Sequence, residues 1–448
     1  MAIHVVIIGN GITGVTAARF IRKLSDYRIT LISAETDHFY SRTALMYIYM
    51  GHMTYHDTKP YEDWFWEKND ITLMRDFVTE IDTENQQVRC ASGNAVPYDA
   101  LLLATGSASN KFGWPGQDLA GVQGLYGMPD LNLMERMANG ISRAVVVGGG
   151  LIGVEMSEML HARNIPVTFL VRETSYMDYL LPPEESSMVN REILEHGIDL
   201  RLNTELEAIL PDESGRVRAV TTKDREEIPC QFVGLTVGVH PNIEVVKQSE
   251  IETNRGVLVN EYLETNIPNV YAAGDCAEFR DPSIGSKPIE QLWYTGRKQG
   301  KTVAYTICGE RRAYDRGVFF NSAKFYNIEY QTYGEVPVTP GDDEATLYWE
   351  HMDGKRSIRL TYKKGGPIVG FVLMGIRYRQ EVCEAWIRNG TPIRQVLENL
   401  GAANCDPEFF EQFEADLIAH YNRQHPENPI RLRRKRGRRF NLKSILAR

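Results

Sequence analysis

The sequence has few cysteines, and none of them stands close to another. Its 448 residues include six cysteines, and no C-x-x-C pair occurs among them. Paired thiols are the usual sign of structural zinc, of iron–sulfur ligation and of redox-active disulfides. The scattered pattern therefore predicts isolated, reduced thiols in a cytoplasmic chain, and it predicts no metal site. The six positions are Cys90, Cys230, Cys276, Cys308, Cys383 and Cys405.

Long apolar runs are also missing. No stretch approaches the ~18 apolar residues that a transmembrane helix requires, so no membrane span is expected. The first residues lack the charged and then apolar segments of a secretory signal, and none is expected there. A hydrophobic content of 43% and a charged content of 24% are ordinary for a globular protein, and 448 residues predict two to four domains.

Two glycine-rich loops are the strongest positive feature. Both have the form G-x-G-x-x-G, follow a β-type run and lead into a helix-like stretch. In such a loop the first glycine makes the tight turn, the second lets a pyrophosphate approach the backbone, and the third lets helix and strand pack closely. The glycines are Gly9, Gly11 and Gly14 in the first loop and Gly148, Gly150 and Gly153 in the second. Either loop alone could be a simple turn, but the pair predicts two dinucleotides on one chain, which suits transfer of electrons between them.

An acidic residue follows the first loop at the spacing of a ribose-binding carboxylate. Glu35 lies about 20 residues after Gly14, just beyond the apolar segment 28–32. A carboxylate there would accept hydrogen bonds from a pair of ribose hydroxyls. The alternative is an acidic residue in a solvated loop.

Three further segments carry a specific resemblance. Residues 98–107 (YDALLLATGS) resemble the Y-D-x-L-x-x-A-T-G-S segment of FAD-dependent pyridine nucleotide oxidoreductases with two dinucleotide-binding domains. Residues 267–277 resemble the second FAD signature of that family, and residues 234–242 (GLTVGVHPN) resemble its G-x-x-P-N segment. The ordered set covers roughly residues 1–315. Within the family, the chain is most similar to the ferredoxin-, rubredoxin- and nitrite-reductase-like branch, which lacks a redox-active disulfide.

The resemblance implies an α/β fold with two Rossmann-like domains, the NAD(P) domain being inserted into a split FAD domain, and a C-terminal α+β domain. The expected segments are 1–113 and 240–315 for FAD, 114–239 for NAD(P), 316–428 for the C-terminal interface domain and 429–448 for a basic tail. In the C-terminal part the residues themselves predict a β-hairpin at Asp353-Gly354 and helices near 378–388, 392–400 and 407–422. Whether the chain forms a homo-oligomer stays open.

The family pattern also implies the residues that hold FAD. The first loop would bind the FAD pyrophosphate, Glu35 the adenosine ribose, and Asp275 after Gly274 the ribityl chain. Thr105 and Gly106 would shape the chain beside the cofactor. A helix beginning near Gln291 and Leu292 would direct its N-terminus at the flavin ring and stabilise negative charge there.

The second loop would bind a nicotinamide nucleotide, with Gly238 in the segment that returns from this domain. The strand after that loop ends at Val171, where NADH-preferring relatives often carry an acidic residue, and Arg172 and Glu173 follow. Arg172 would suit a 2′-phosphate and Glu173 a 2′-hydroxyl, so the sequence leaves NADPH and NADH open. Glu155 matches an acidic residue that relatives keep near the contact of nicotinamide and flavin, although the helix N-terminus alone would also account for it.

The region that carries the reactive cysteine in disulfide-reducing relatives has none here. Residues 39–45 read FYSRTAL, and Arg42 occupies the place of the cysteine of several NADH oxidases. Arg42 would then stabilise reduced flavin or orient an acceptor; alternatively it would pair with Glu155 or another carboxylate for structure. The lysine that follows in ferredoxin-reductase relatives is also missing.

The resemblance therefore implies an FAD-dependent NAD(P)H:acceptor oxidoreductase. Hydride would pass from NAD(P)H to flavin N5, and electrons would then go to an external carrier such as a ferredoxin or rubredoxin. One alternative is a type II NADH:quinone reductase, because residues 37–51 have some likeness to the quinone-side segment of those proteins. The other is a flavin-binding scaffold that senses redox state.

Acidic side chains are missing from the end of the chain. Residues 431–448 hold nine basic side chains, so the net charge of −9 leaves −18 on the preceding 430 residues. Such a tail is consistent with a solvated segment, with contact to the inner membrane surface, or with docking of an acidic electron carrier. Nucleic-acid binding is not expected beside so acidic a body.

Overall fold

The computed structural model describes residues 3–281, 283–284, 287–405, 408–409 and 411–433. The chain divides into two compact units, Met1–Met177 with Ile193–Gly317 and Asp178–Glu192 with Val318–Arg448. Most of the predicted basic tail, residues 434–448, lies outside the described residues. The domain boundaries expected at residues 113 and 239 stay predictions.

The first unit contains two parallel five-stranded sheets, which confirms the predicted α/β class. Each is built on a short, fully buried central strand of mainly valine and isoleucine, as expected for a parallel sheet covered by helices. In order across the first sheet, the strands are Val270–Ala272, Ala100–Leu103, His4–Ile8, Arg28–Ser33 and Ile71–Arg75. Across the second they are Asp199–Arg201, Val167–Leu170, Ala144–Val147, Phe232–Leu235 and Val122–Gln123.

Two short crossing strands join the parts of the first unit that carry these sheets. Ser107–Ser109 pairs antiparallel with Val239–Pro241. The remaining strands form a parallel pair, Val257–Val259 with Ala277–Phe279, and two antiparallel three-stranded sheets. Those sheets consist of Val78–Asp82, Gln87–Cys90 and Ala95–Pro97, and of Leu206–Pro211, Val217–Thr222 and Glu227–Pro229.

Helices connect the strands of the first unit. The α-helices are Ile12–Leu24, Leu45–Tyr49, Trp64–Lys68, Met128–Met137, Leu151–Ala162 and Trp293–Ile307, and short 3₁₀ turns span Arg42–Ala44 and His56–Thr58. Helix Pro183–Glu195 belongs to the second unit for most of its length. Among the described residues, no helix is both long and apolar enough to cross a membrane.

The second unit has the predicted α+β character. Its antiparallel sheet has the strand order Phe320–Phe325, Ile328–Gly334, Ile368–Met374, Ser357–Lys363, Glu344–Glu350. The predicted hairpin is present, with Gly354 in the left-handed region at φ +67°. The helices are Gln380–Arg388, Ile393–Glu398 and Glu414–Gln424, with a 3₁₀ turn at Leu400–Ala402, so the last helix begins later than residue 407. Arg359 and Glu185 form a buried ion pair at 2.8 Å within this unit.

Candidate functional site

A cavity of about 680 Å³ lies in the first unit, at the carboxyl ends of the first sheet. Ligands of open α/β sheets bind at this edge, because loops and helix N-termini converge there. Helices that begin at its wall include those that start near Ile12, Ile152 and Trp293, and all three residues line the cavity. The predicted site residues among its lining are Gly9, Gly11, Glu35, Arg42, Thr105, Gly106, Glu155, Asp275, Gln291 and Leu292.

The first glycine loop has the geometry of a phosphate cradle. Gly9 has φ +112°, and a Cβ there would lie 2.1 Å from the Ala104 carbonyl oxygen. A Cβ at Gly14 would lie 2.0 Å from the Gly9 oxygen. At Gly11, which faces the cavity, a Cβ would have no neighbour within 4 Å. The outer glycines are therefore fixed by packing, while the middle one leaves open space in front of a helix N-terminus, which fits the pyrophosphate of an FAD.

The second loop repeats this design. A Cβ at Gly148 would lie 2.6 Å from the Thr236 carbonyl oxygen, and one at Gly153 would lie 2.2 Å from the Gly148 oxygen. At Gly150 the nearest atom, the same Thr236 oxygen, would be 4.0 Å away. The loop thus fits a second dinucleotide. Gly238, at φ +91°, lies on the return segment, where Asn110 N–H donates to its carbonyl at 3.0 Å.

Arg42 joins three separate segments at the cavity wall. Its guanidinium donates to both carboxylate oxygens of Glu35, at 2.6 and 3.0 Å, and to the Tyr126 carbonyl at 2.7 Å. The hydroxyl of Tyr40 and the Met128 N–H also donate to Glu35. Burial alone would raise the pKa of Glu35, but the charge and hydrogen bonds of Arg42 hold it below its usual range.

This network defines the partner of Arg42. The sequence left open whether Arg42 acts at the flavin or pairs with Glu155 or another carboxylate. In the structure Arg42 pairs with a carboxylate, and that carboxylate is Glu35 rather than Glu155. Its guanidinium also lies 4.5 Å from the centre of the Tyr126 ring. Glu35, expected at a ribose, therefore already has its charge balanced by a cation.

Asp275 is the acceptor in a second hydrogen-bond network at the same cavity. Its carboxylate accepts hydrogen bonds from the Ser107 hydroxyl at 3.0 Å and from the Tyr126 hydroxyl at 3.2 Å. The Gln291 side-chain amide donates to Ser107 at 2.8 Å. Burial raises the pKa of Asp275, although the two hydrogen bonds oppose that shift. Gly274 precedes it with φ +82°, and a Cβ there would lie 2.4 Å from the Thr13 hydroxyl oxygen.

Thr105 and Gly106 fix the chain beside this network. The Thr105 hydroxyl donates to the Asn242 carbonyl at 2.6 Å, which ties the two crossing segments together. Gly106 has φ +73°, and a Cβ there would lie 2.7 Å from the Tyr126 hydroxyl.

Glu155 lies on helix Leu151–Ala162, which follows the second glycine loop, and it lines the cavity. It is half-buried, and burial raises its pKa to about 7, with a further contribution from the charge of Glu158. A carboxyl group with such a pKa changes its charge near neutral pH, which marks it as a candidate functional group.

Arg172 and Glu173 lie outside the cavity, at the second loop. A Cβ on Gly149 would lie 3.6 Å from the Glu173 carboxylate, so this carboxylate stands against the loop. Arg172 donates to Glu173 at 2.7 Å, while 76% of its side chain is exposed. The acidic side chain is therefore the one held near the loop.

Tyr126 is a site residue that sequence reasoning missed. It connects Arg42, 84 positions away, with Asp275, 149 positions away. Pro129 and Asp130 stand in the first turn of helix Met128–Met137, but such a local helix signal says nothing about contacts over these distances.

No thiol faces the cavity among the described residues that line it. Cys276 follows Asp275, but it is fully buried and its sulfur lies 3.4 Å from the Leu103 carbonyl oxygen. Cys90, Cys230, Cys276, Cys308 and Cys383 are free thiols. Within the described part of the chain, histidine, cysteine and acidic side chains form no group of three that could hold a metal ion.

Comparison with known proteins agrees with this geometry. The model of the pyridine nucleotide-disulphide oxidoreductase family matches residues 3–300. A nitrite reductase (NAD(P)H) of Bacillus subtilis is 31% identical over 381 residues, covering 83% of this chain and 45% of that relative, so the chain spans less than half its length. An NADH oxidase of Methanocaldococcus jannaschii is 30% identical over 397 residues, covering 83% and 87%. The crystal structure of a ferredoxin reductase from Rhodopseudomonas palustris is similar with a TM-score of 0.75 at 25% identity, covering 83% and 91%.

The open space at Gly11 gives a test of the cradle. Gly11→Ala should leave the fold intact, because its Cβ has no neighbour within 4 Å. It should weaken FAD binding about ten-fold or more, since the methyl group occupies space that the pyrophosphate needs. Fluorescence titration of apoprotein with FAD measures the affinity. Gly401→Ala, also without a neighbour within 4 Å, is the control and should bind FAD normally. Equal affinity of the two variants would remove Gly11 from the site.

Proposed function

The chain belongs to the pyridine nucleotide-disulphide oxidoreductase family, and we propose that it passes electrons from NAD(P)H through FAD directly to an external iron–sulfur carrier such as a ferredoxin or a rubredoxin. When bound, FAD supplies the step between a two-electron donor and a one-electron acceptor. The observation that carries this proposal is that no described residue lining the cavity is a cysteine. A disulfide relay needs a thiolate next to the flavin. The similarity to a ferredoxin reductase supports the choice of acceptor.

We assign the residues of the cavity to holding the cofactor. The first glycine loop and the N–H groups of the following helix would bind the pyrophosphate. Glu35 and Asp275 would accept hydrogen bonds from the hydroxyl groups of FAD. Because Glu35 balances the charge of Arg42, we assign Arg42 to positioning Glu35 and Tyr126 rather than to the redox ring.

Anaerobic reduction followed by reoxidation tests the function. NADH or NADPH should bleach the flavin band near ~450 nm, and a ferredoxin or rubredoxin should restore it faster than a quinone or oxygen does. Faster reoxidation by a quinone would favour a quinone reductase. A flavin that neither nucleotide reduces would contradict an enzymatic role and favour a redox-sensing scaffold.

We further propose that NADH is the preferred donor. A carboxylate at the end of this strand accepts hydrogen bonds from a 2′-hydroxyl and repels a 2′-phosphate. Glu173 is 21% exposed and stands against the second loop, whereas the guanidinium of Arg172 is mostly in solvent and paired with Glu173. The balance of these two side chains favours the nucleotide without a 2′-phosphate.

This preference predicts the effect of two substitutions. The wild-type kcat/KM for NADH should exceed that for NADPH by about 100-fold, and Glu173→Gln should reduce this ratio about ten-fold by removing the repulsion. Arg172→Ala is the matched control and should change the ratio less than about three-fold. A wild-type preference for NADPH that Arg172→Ala abolishes would assign the choice to Arg172 instead.

Glu155 has a charge suited to hydride transfer. Positive charge develops on the nicotinamide ring as hydride leaves it, and a nearby carboxylate stabilises that charge. With a pKa of about 7, Glu155 carries this negative charge above neutral pH and loses it below. We therefore assign Glu155 to electrostatic stabilisation of the oxidised nicotinamide.

The rate of flavin reduction by NADH should accordingly rise with pH through about 7 and level off above it. Glu155→Gln should lower the plateau about ten-fold and abolish this rise. Glu158→Gln should move the inflection to lower pH without abolishing it, because it removes only a neighbouring negative charge. Stopped-flow absorbance measures these rates. The same inflection in Glu155→Gln would exclude this role.

A further inference from the structure

Two helices of the first unit together present a surface of basic side chains. Helices Ile12–Leu24 and Trp293–Ile307 pack against each other along their lengths. Together they carry six basic side chains and no acidic one, in a chain whose first 430 residues have a net charge of −18. The six are Arg19, Arg22, Lys23, Arg297, Lys298 and Lys301.

Two of the six cations serve the fold. Arg22 donates to the carbonyls of Asn69 and Tyr27 at 2.8 and 2.6 Å. Lys298 donates to the Arg316 carbonyl. The other four, Arg19, Lys23, Arg297 and Lys301, form no ion pair with any carboxylate of the described residues. We call these four side chains the cationic face.

Aromatic rings hold the cationic face in place. The ammonium groups of Lys23 and Lys301 lie 5.3 and 5.4 Å from the centre of the Phe20 ring. The Arg297 guanidinium lies 5.9 Å from the Trp293 ring, and that of Arg19 lies 4.9 Å from the Tyr61 ring. Cation–π contact orders these side chains without neutralising them. The result is a surface of positive charge supported by aromatic rings.

The cationic face begins beside the cofactor cavity. Ile12 and Trp293, the first residues of the two helices, both line that cavity. Arg297 is one helical turn beyond Trp293 and lies over its ring. One side chain thus separates the start of the face from the cavity, which is a favourable arrangement for an electron carrier that must come close.

We propose that the cationic face is the docking site of an acidic iron–sulfur carrier; this inference rests on the proposed function. An acidic carrier supplies the complementary charge, and such complementarity steers association. A membrane surface fits less well, because Leu24 is the sole exposed large apolar side chain among the described residues of the two helices. A nucleic acid would be repelled by the acidic body.

Neutralising the face tests the proposal. In the holoenzyme, Lys23→Gln, Arg297→Gln and Lys301→Gln combined should lower kcat/KM for an acidic rubredoxin or [2Fe–2S] ferredoxin about ten-fold at low ionic strength. The difference should close at about 0.5 M salt, since screening then removes the attraction from the wild type. Flavin reduction by NADH should not change. The matched control neutralises three exposed cations elsewhere in the first unit, Arg136, Arg225 and Arg255, and should behave as wild type.

The outcomes separate the two proposals. A wild-type protein that reduces neither carrier at any salt concentration contradicts the proposed function, and the docking site with it. Carrier reduction with the same rate and salt dependence in wild type and triple variant overturns the docking site alone. Binding to phosphatidylserine vesicles that the triple variant loses, with carrier reduction unchanged, also overturns it and assigns the face to a membrane.

Discussion

The rest of the site depends on three helix N-termini that meet at one cavity. Helices Ile12–Leu24, Leu151–Ala162 and Trp293–Ile307 begin there, and none has an acidic residue in its first turn. Their free N–H groups and positive dipole ends are therefore not neutralised by acidic side chains of that turn, and an anionic group bound there would satisfy them. The glycine loops follow from the same constraint, because a phosphate reaches a helix N-terminus only where no Cβ intervenes. FAD and a nicotinamide nucleotide both supply such phosphates.

Local signals in the sequence predicted the parts of the site that depend on neighbouring residues. Both glycine loops, the strand before each and the hairpin at Asp353-Gly354 follow from spacing and turn chemistry, and the structure has all of them. The bond between Arg42 and Glu35 was open from the sequence, because several carboxylates could have met that guanidinium. The role of Tyr126 was missed, since its partners come from distant segments that only the folded chain brings together. The position of Glu173 against the second loop likewise needed the structure.

Charge and thiol chemistry together determine how electrons can leave. Cys276, next to the site residue Asp275, is buried in the protein interior, where its thiol contacts the Leu103 carbonyl oxygen rather than the cavity. Two helices that begin at the cavity wall carry basic side chains and no acidic one, while the first 430 residues as a whole are acidic. An acceptor that brings its own redox centre and its own negative charge fits both facts.

The most direct test of this account is the number of electrons that the protein accepts. If electrons pass from flavin directly to an outside carrier, we expect FAD to be the sole internal redox group. Anaerobic titration with NADH, followed by absorbance near ~450 nm, should then reach full bleaching at one equivalent of NADH per FAD. Consumption of two equivalents, with a long-wavelength charge-transfer band after the first, would show a second two-electron acceptor such as a disulfide and would contradict the central claim.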